Sequence, residues 1–460
     1  MNICVINGSP KGNASITLQT VLYLERLFPE HSFQTLSVGQ RIKALEKDSA
    51  AAFSCLAQAD LLLFAYPVYT FLAPSQLHRF LEMLKGSGLA LAGKFATQIT
   101  TSKHFYDMTA HRFIEDNCRD LKLKVIHGLS ADMDDLLTPR GRKEAEAFFR
   151  FVTHCMENDL YESTPPLSSE PLPPYEPCAQ ASQKRDGFDT VIVADLQPGD
   201  QRLQAMIDDF QAVYPYPARL VNLGAYPFMG GCLGCFSCAG DGKCIYQDGF
   251  DRFLRKEIQT ADAIVYAASI KNHSLGSRMK TYDDRQFCNG HRTVTEGTPT
   301  AYVLSGDYDQ ETNLQTVIEA RAEVGHNYLA GVGFTPSSVR QAALRLAYAV
   351  ENRYLPPRNF YGVGGMKIFR DLIWLMRGLM KADHGFYKAR GLYDFPQKRW
   401  PFMLKMKAVG ALTRSPRLKA KMGGQMTQAM LAPYQKVLQT AAPQEAVSQA
   451  EDAPSMERSA

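Results

Sequence analysis

The sequence predicts an α/β protein with two doubly wound parallel-sheet domains in tandem, followed by a helical, basic C-terminal region. Three observations carry this. Short apolar runs alternate with helix-periodic segments over the first 157 residues, the pattern of βαβ units. The alternation stops in a Pro-rich stretch and then begins again. One block recurs with the same spacing in both halves, an internal repeat of about 150–190 residues, far too long for a solenoid and consistent with a duplicated domain.

In order, Asn2–Ile6 is a short apolar run, Ser15–Phe28 has helical periodicity, and Leu61–Ala65, Lys94–Thr100 and Lys124–Ile126 continue the strand series of a first domain, 1–157. Residues 158–187 contain Pro165, Pro166, Pro171, Pro173, Pro174 and Pro177 among several serines. Such a composition stiffens and extends a chain, so this segment reads as a linker. A second domain, 188–338, resumes with strands at Thr190–Ala194, Ala263–Ala268 and Thr300–Leu304 and a helix at Gln201–Tyr214. Ala59–Glu82 lies over Ala261–Arg285, each with Ala-Asp before a strand and a loop and helix after it. Residues 339–440 read as helical and basic, and 441–460, rich in Ala, Gln, Glu, Ser and Pro, as a disordered tail.

Composition narrows the function. Of 460 residues, 45% are apolar and 21% charged, which excludes collagen, coiled coil and low-complexity scaffolds. A net charge of +4 is too small to argue for a nucleic-acid binder. Met366–Lys421 alone carries 14 Lys/Arg against 3 Asp/Glu, a local +11 that leaves −7 for the rest. The start MNICVINGSP lacks a basic region ahead of its apolar run and does not read as a signal peptide. Ten cysteines without an export signal point to a reducing, cytoplasmic compartment, where thiols stay free or bind metal.

Strand Cys4–Ile6 runs into Asn7-Gly8-Ser9-Pro10-Lys11-Gly12-Asn13-Ala14-Ser15-Ile16-Thr17, and a helix follows. Small and hydroxyl residues there let N–H groups converge on an anion at a helix N-terminus. The spacing is neither a Walker loop nor G-x-G-x-x-G, and a capped tight turn is the plain alternative. After Leu61–Ala65 comes an aromatic loop, Tyr66-Pro67-Val68-Tyr69-Thr70-Phe71-Leu72-Ala73-Pro74-Ser75-Gln76-Leu77, at the strand end where open α/β sheets bind ligands. An anion site beside flat apolar faces suits a flavin mononucleotide, although Tyr69 and Phe71 also read as rim aromatics.

GSPKGNAS followed by YPVYTFLAPSQL resembles the flavodoxin-like NAD(P)H-dependent FMN reductase superfamily. The resemblance covers about residues 1–155 and, more loosely, 189–335. It implies that Ser9, Lys11, Ser15, Ile16 and Thr17 hold the FMN phosphate and that Pro67, Val68, Tyr69, Thr70 and Phe71 line the isoalloxazine. A third loop would be Thr101-Ser102-Lys103-His104-Phe105, with Thr101, Ser102 and His104 at the flavin, or His104 capping a turn. It also implies NAD(P)H as co-substrate.

The strongest local signal is Cys232, Cys235, Cys238 and Cys244. Close Cys-x-x-Cys-x-x-Cys spacing is typical of [4Fe–4S] ligation, with a zinc site and free or redox-active thiols as alternatives. The other cysteines read as core or surface thiols. The run resembles the cluster motif of the iron–sulfur flavoproteins. One departure stands out: the second domain has Asp195-Leu196-Gln197-Pro198-Gly199-Asp200, a poor phosphate cradle, so the two domains divide flavin and cluster between them. By this resemblance the tandem folds as a pseudo-dimer, with or without further homodimerisation.

Ser269–Ser274 and Asp283–Arg292 read either as a polar surface facing that flavin or as solvated loop and cap. Met366–Met380 and Trp400 onward, within 366–421, read as a helix packed on the domains or as a peripheral contact with the inner face of a membrane. The expected function is an FMN- and [4Fe–4S]-dependent oxidoreductase, with NAD(P)H or a reduced ferredoxin-like partner as donor and a small-molecule acceptor. The rival is a non-enzymatic electron carrier. No side chain is assigned as an acid, base or nucleophile.

Overall fold

A computed structural model describes residues 1–162, 173–177, 181–412 and 431. Asn2–Asn7 (β1) is covered on both faces, with Ile3, Cys4, Val5 and Ile6 buried, as a central parallel strand requires. Around it lie Ser32–Leu36 (β2), Leu61–Pro67 (β3), Phe95–Ser102 (β4), Lys124–Val125 (β5) and Leu129–Asp132 (β6). All pairs are parallel, in the order β2-β1-β3-β4-β5, and β6 pairs with the far half of β4. A second sheet comprises Thr190–Asp195 (β7), Ala218–Asn222 (β8), Ala263–Ser269 (β9), Thr300–Ser305 (β10) and Leu329–Gly333 (β11). Its order is β8-β7-β9-β10-β11, again all parallel. Counted within its own sheet, each reads 2-1-3-4-5.

The expected strands all form. Those without an apolar run in the sequence analysis are β2, β6, β8 and β11. β2 and β8, for example, are edge strands whose residues stay partly exposed, so their sequences need no buried run.

Met1–Leu392 form one compact unit. Helices Ser75–Gly86 and Gly276–Arg285 face each other across its middle, and neither has a side-chain cap from its own N-cap residue. Each is capped by the other. Asp284 Oδ2 accepts from the Ser75 N–H at 2.8 Å, and Glu82 Oε1 accepts from the Ser277 N–H at 2.7 Å. These positions correspond when Ala59–Glu82 is laid over Ala261–Arg285, so the contact is reciprocal, as across a two-fold axis. Lys280 Nζ bonds the Tyr69 carbonyl at 2.8 Å and pairs with Asp284. Val317, Ala320 and Val324 of helix Thr312–Gly325 enter the first sheet's core.

Composition put a boundary at 338/339, but helix Pro336–Asn352 crosses it. Val339, Ala342, Ala343, Leu346 and Val350 are buried in the second sheet's core, so this helix completes that sheet rather than opening a separate region. Helices Phe360–Leu375 and Lys381–Ala389 follow. Described parts of the 158–187 segment are tied down: the Glu162 N–H donates to the Val125 carbonyl at 2.8 Å, and Ser182 and Lys184 bond carbonyls at the end of helix Gln201–Val213. Its remainder, 163–172 and 178–180, lies outside the described residues, as does the tail 441–460. A second unit begins at Tyr393 and contains helix Trp400–Leu412.

Candidate functional site

The carboxyl ends of β1, β3 and β4 open on a cavity of about 500 Å³, within the range of small-molecule sites. From β1 come Ser9, Lys11, Ser15, Ile16 and Thr17; from β3 Pro67, Val68, Tyr69, Thr70 and Phe71; from β4 Thr101 and Ser102. Sequence reasoning named all of these. His104 does not line the cavity: its ring is half exposed and bonds Asp107 at 2.8 Å. The turn at His104 and Tyr106, both left-handed, turns Phe105 inward in its place.

The phosphate-type loop is built from its own side chains. Asn7 Oδ1 accepts from the Ser9 N–H, Ser9 Oγ from the Lys11 N–H, and Ser15 Oγ caps helix Ile16–Leu27 at the Leu18 N–H. The Ile16 and Thr17 N–H groups, in the first helical turn, have no acceptor among the described residues, which leaves them for an anion. Ser9, Ser15 and Thr17 are buried, and Thr17 Oγ1 lies 2.6 Å from Thr101 Oγ1. Buried hydroxyls in the same loop as these N–H groups suit a phosphate.

The aromatic loop turns tightly. Tyr69 and Leu72 exchange N–H···O bonds of 2.8 and 3.1 Å while Thr70 and Phe71 adopt φ of 43° and 72°. The turn is held by Thr109 Oγ1, which donates to the Phe71 carbonyl at 2.6 Å, and by Phe105 and Tyr106 packed on the Phe71 ring. Burial pushes the Tyr69 phenol well above its ordinary range, so it stays a neutral donor.

The opposite wall belongs to the second domain and to later helices. Gly234, Phe236 and Cys238 reach it from the cysteine loop, and Phe287, His291 and Arg292 from the loop after helix Gly276–Arg285. Asp283–Arg292 therefore contributes to the cavity. Lys271 and His273 do not: buried His273 bonds Asp120 at 2.9 Å and Glu311 at 3.0 Å. Burial opposes its charge, but the two carboxylates outweigh this and raise its pKa to about 9. Ile368, Phe369, Leu372 and Met376 complete the apolar side, with Phe369 stacked on Phe105 at 4.4 Å. Sequence reasoning singled out this helix as apolar but had no signal for the cavity as its partner.

Two glycines set how closely these walls approach. Gly234 has φ of 60°, and a Cβ there would lie 1.9 Å from the Tyr69 hydroxyl. Gly290 has φ of 59°, and a Cβ would lie 2.3 Å from Asp383 Oδ1. Buried Asp383, from helix Lys381–Ala389, accepts from the His291 N–H at 3.1 Å, meets the ring Nδ1 at 3.2 Å and pairs with Arg292.

The cysteine loop carries four thiols, of which Cys238 lines the cavity. Cys235 is exposed, whereas Cys232, Cys238 and Cys244 are partly buried. The Gly234 N–H points at Cys232 Sγ, 3.4 Å away. Burial first, then the Asp284 carboxylate, raises Cys232 to about 12, and burial followed by neighbouring Cys244 raises Cys238 to about 11. Among the described residues, no three His, Cys, Asp or Glu side chains converge as ligands of a single metal ion. The thiols share one loop without closing on one point. Cys4, Cys55, Cys118, Cys155 and Cys288 are buried, and Cys178 lies outside the described residues.

An iron–sulfur flavoprotein of Archaeoglobus fulgidus is 27% identical over 177 residues, 35% of this chain and 78% of that protein. Among solved structures, an NADPH-quinone reductase from P. pentosaceus is 16% identical and covers 33% of this chain and 97% of its own, with a TM-score of 0.27. An FMN-dependent NADH-azoreductase from Bacillus anthracis, in complex with FMN, is 15% identical and covers 33% and 98%, with a TM-score of 0.26. Residues 1–115 match the Flavodoxin_2 family, described as a flavodoxin-like fold, and with its 2-1-3-4-5 parallel sheet the first domain is flavodoxin-like.

Proposed function

We propose that this chain is an FMN- and [4Fe–4S]-dependent oxidoreductase, with FMN bound by the first domain and a cluster by the second. The observation that carries the reading is a single cavity lined by the phosphate-type loop, the aromatic loop and the cysteine loop together. The 27% identity to an iron–sulfur flavoprotein supports it.

Ser9, Ser15 and Thr17, with the free Ile16 and Thr17 N–H groups, would hold the phosphate, and Lys11 would balance its charge. Pro67–Phe71 would bracket the ring, with the Tyr69 and Phe71 side chains fixed by the tight turn. Cys232, Cys235, Cys238 and Cys244 would hold the cluster. Their donor set suits it: four thiols lie within thirteen positions of one loop, and the Gly234 N–H offers a bond to the Cys232 sulfur of the kind that tunes such centres. When bound, FMN exchanges electrons in pairs and a cluster exchanges them singly, so the pairing supplies a two-to-one electron exchange. Phe105, Phe369, Leu372 and Met376 keep water from the apolar side of the cavity. NAD(P)H or a reduced ferredoxin-like protein is the proposed donor, and a small molecule the acceptor.

The test is an absorbance spectrum of protein purified without oxygen, with iron, acid-labile sulfide and zinc content. Flavin bands with about four iron and four sulfide per chain support the reading, and bleaching of the flavin by NADH or NADPH then separates enzyme from carrier. Flavin without iron removes the cluster, and absence of both sinks the proposal.

A further inference from the structure

Helix Phe360–Leu375 carries apolar side chains on two opposite faces. One face walls the cavity through Ile368, Phe369 and Leu372. At about 100° per residue, Phe360, Val363, Lys367, Asp371, Trp374 and Leu375 fall within an arc of about 120° on the other face, and all six are exposed. Phe360 is 84% exposed, Leu375 73%, and Leu379 just beyond the helix 54%. Single exposed apolar residues are ordinary, whereas a row of them marks a surface that something covers.

Charge around the row identifies the occupant. Lys367 lies within it, Arg377 sits over the Trp374 ring at 4.8 Å, and Lys381 and Lys388 follow, both exposed. Two nearby carboxylates are engaged elsewhere: Asp371 pairs with Arg370, and buried Asp383 pairs with His291 and Arg292. In the second unit, helix Trp400–Leu412 shows the same combination, exposing Trp400, Phe402 and Leu404 beside Lys405 and Lys407. A second copy of the chain would bring the same positive charge to the contact, which disfavours self-pairing of this face.

We propose that the outer face of helix Phe360–Leu375 docks on an anionic lipid bilayer. Phe360, Leu375 and Leu379 enter the headgroup region with Trp374, and Lys367, Arg377 and Lys381 meet lipid phosphates, the arrangement of interfacial helices. Among the described residues no helix is long and apolar enough to cross a membrane, so contact is peripheral. This surface is distinct from the cavity and stands whatever the cavity binds.

The experiment is co-sedimentation of the full chain with vesicles of phosphatidylglycerol and phosphatidylcholine, against phosphatidylcholine alone. Binding to the anionic vesicles only, weakening as salt rises, is expected. The Leu375→Glu/Leu379→Glu double variant, whose positions line no part of the cavity, should retain its melting temperature and partition about tenfold less. No binding to anionic vesicles, or equal binding by the folded variant, overturns the proposal. So does a variant that only shifts the mass in solution, which would assign the face to a second copy.

Discussion

Tyr69–Leu72 after β3 and Lys271–Ser274 after β9 form the same two-residue turn. Each closes with paired N–H···O bonds of 2.8 and 3.1 Å, and each has two left-handed residues, Thr70 and Phe71 in one, Asn272 and His273 in the other. The first turn presents Tyr69 and Phe71 to a cavity. The second drives His273 between Asp120 and Glu311, where it joins the two domains. The loops after β1 and β7 differ similarly. Ser9 and Ser15 leave helix N–H groups open, whereas Asp200 accepts from the Gln197 N–H and occupies its loop with its own carboxylate. One backbone thus serves as a binding rim in one domain and as a clamp in the other, and the side chains decide which.

The sharpest way to break the comparison is at the reciprocal helix caps. Asp284→Ala removes a cap and also strands buried Lys280, at a cost of about 3–5 kcal/mol. Glu82→Ala removes the corresponding cap, with its bond to the Ser277 hydroxyl and its partly exposed pair with Arg79, but strands no buried charge and should cost about 1–2 kcal/mol. Urea denaturation of both variants measures the difference, and equal costs would show that the Lys280 pair adds nothing.

His273 gives the next largest effect. Its folded pKa is raised to about 9, so its contribution is complete below its unfolded value near 6.5 and is lost as pH rises through 9. His273→Gln should cost roughly 2–3 kcal/mol at neutral pH and much less at about pH 10. A pH series of denaturation midpoints tests this; parallel curves for the two proteins would refute the clamp.

Ser9→Asp makes the first loop resemble the second. Facing a phosphate, the new carboxylate should weaken FMN binding by about 2 kcal/mol and leave riboflavin binding nearly unchanged. Fluorescence titration with both ligands reads the difference. The smallest expected effect is at Gly234, where Ala meets both a left-handed backbone and the Tyr69 hydroxyl. A loss of about 1–2 kcal/mol should show in flavin affinity, measured by the same titration, more than in the melting temperature.

Legibility followed burial. Central strands declared themselves as apolar runs, whereas β2, β6, β8 and β11 did not, because partly exposed strands satisfy their environment with mixed side chains. The loops after β1 and β3 were legible because backbone geometry and anion chemistry restrict which residues serve there. His104 stayed open between the cavity and a turn in the sequence, since a polar residue beside a site loop looks the same whether it faces inward or, as here, bonds Asp107.

By itself, the sequence determined the α/β class, the two sheets, the phosphate-type and aromatic loops and the clustering of four cysteines, all of them local patterns of periodicity and spacing. Tertiary structure alone decided that Asp284 and Glu82 exchange caps, that His273 is a clamp, and that Phe369 and His291 share a cavity with Ser9 and Tyr69. Those contacts join residues far apart in the chain, and their partners are chosen by packing between surfaces, which no local pattern records.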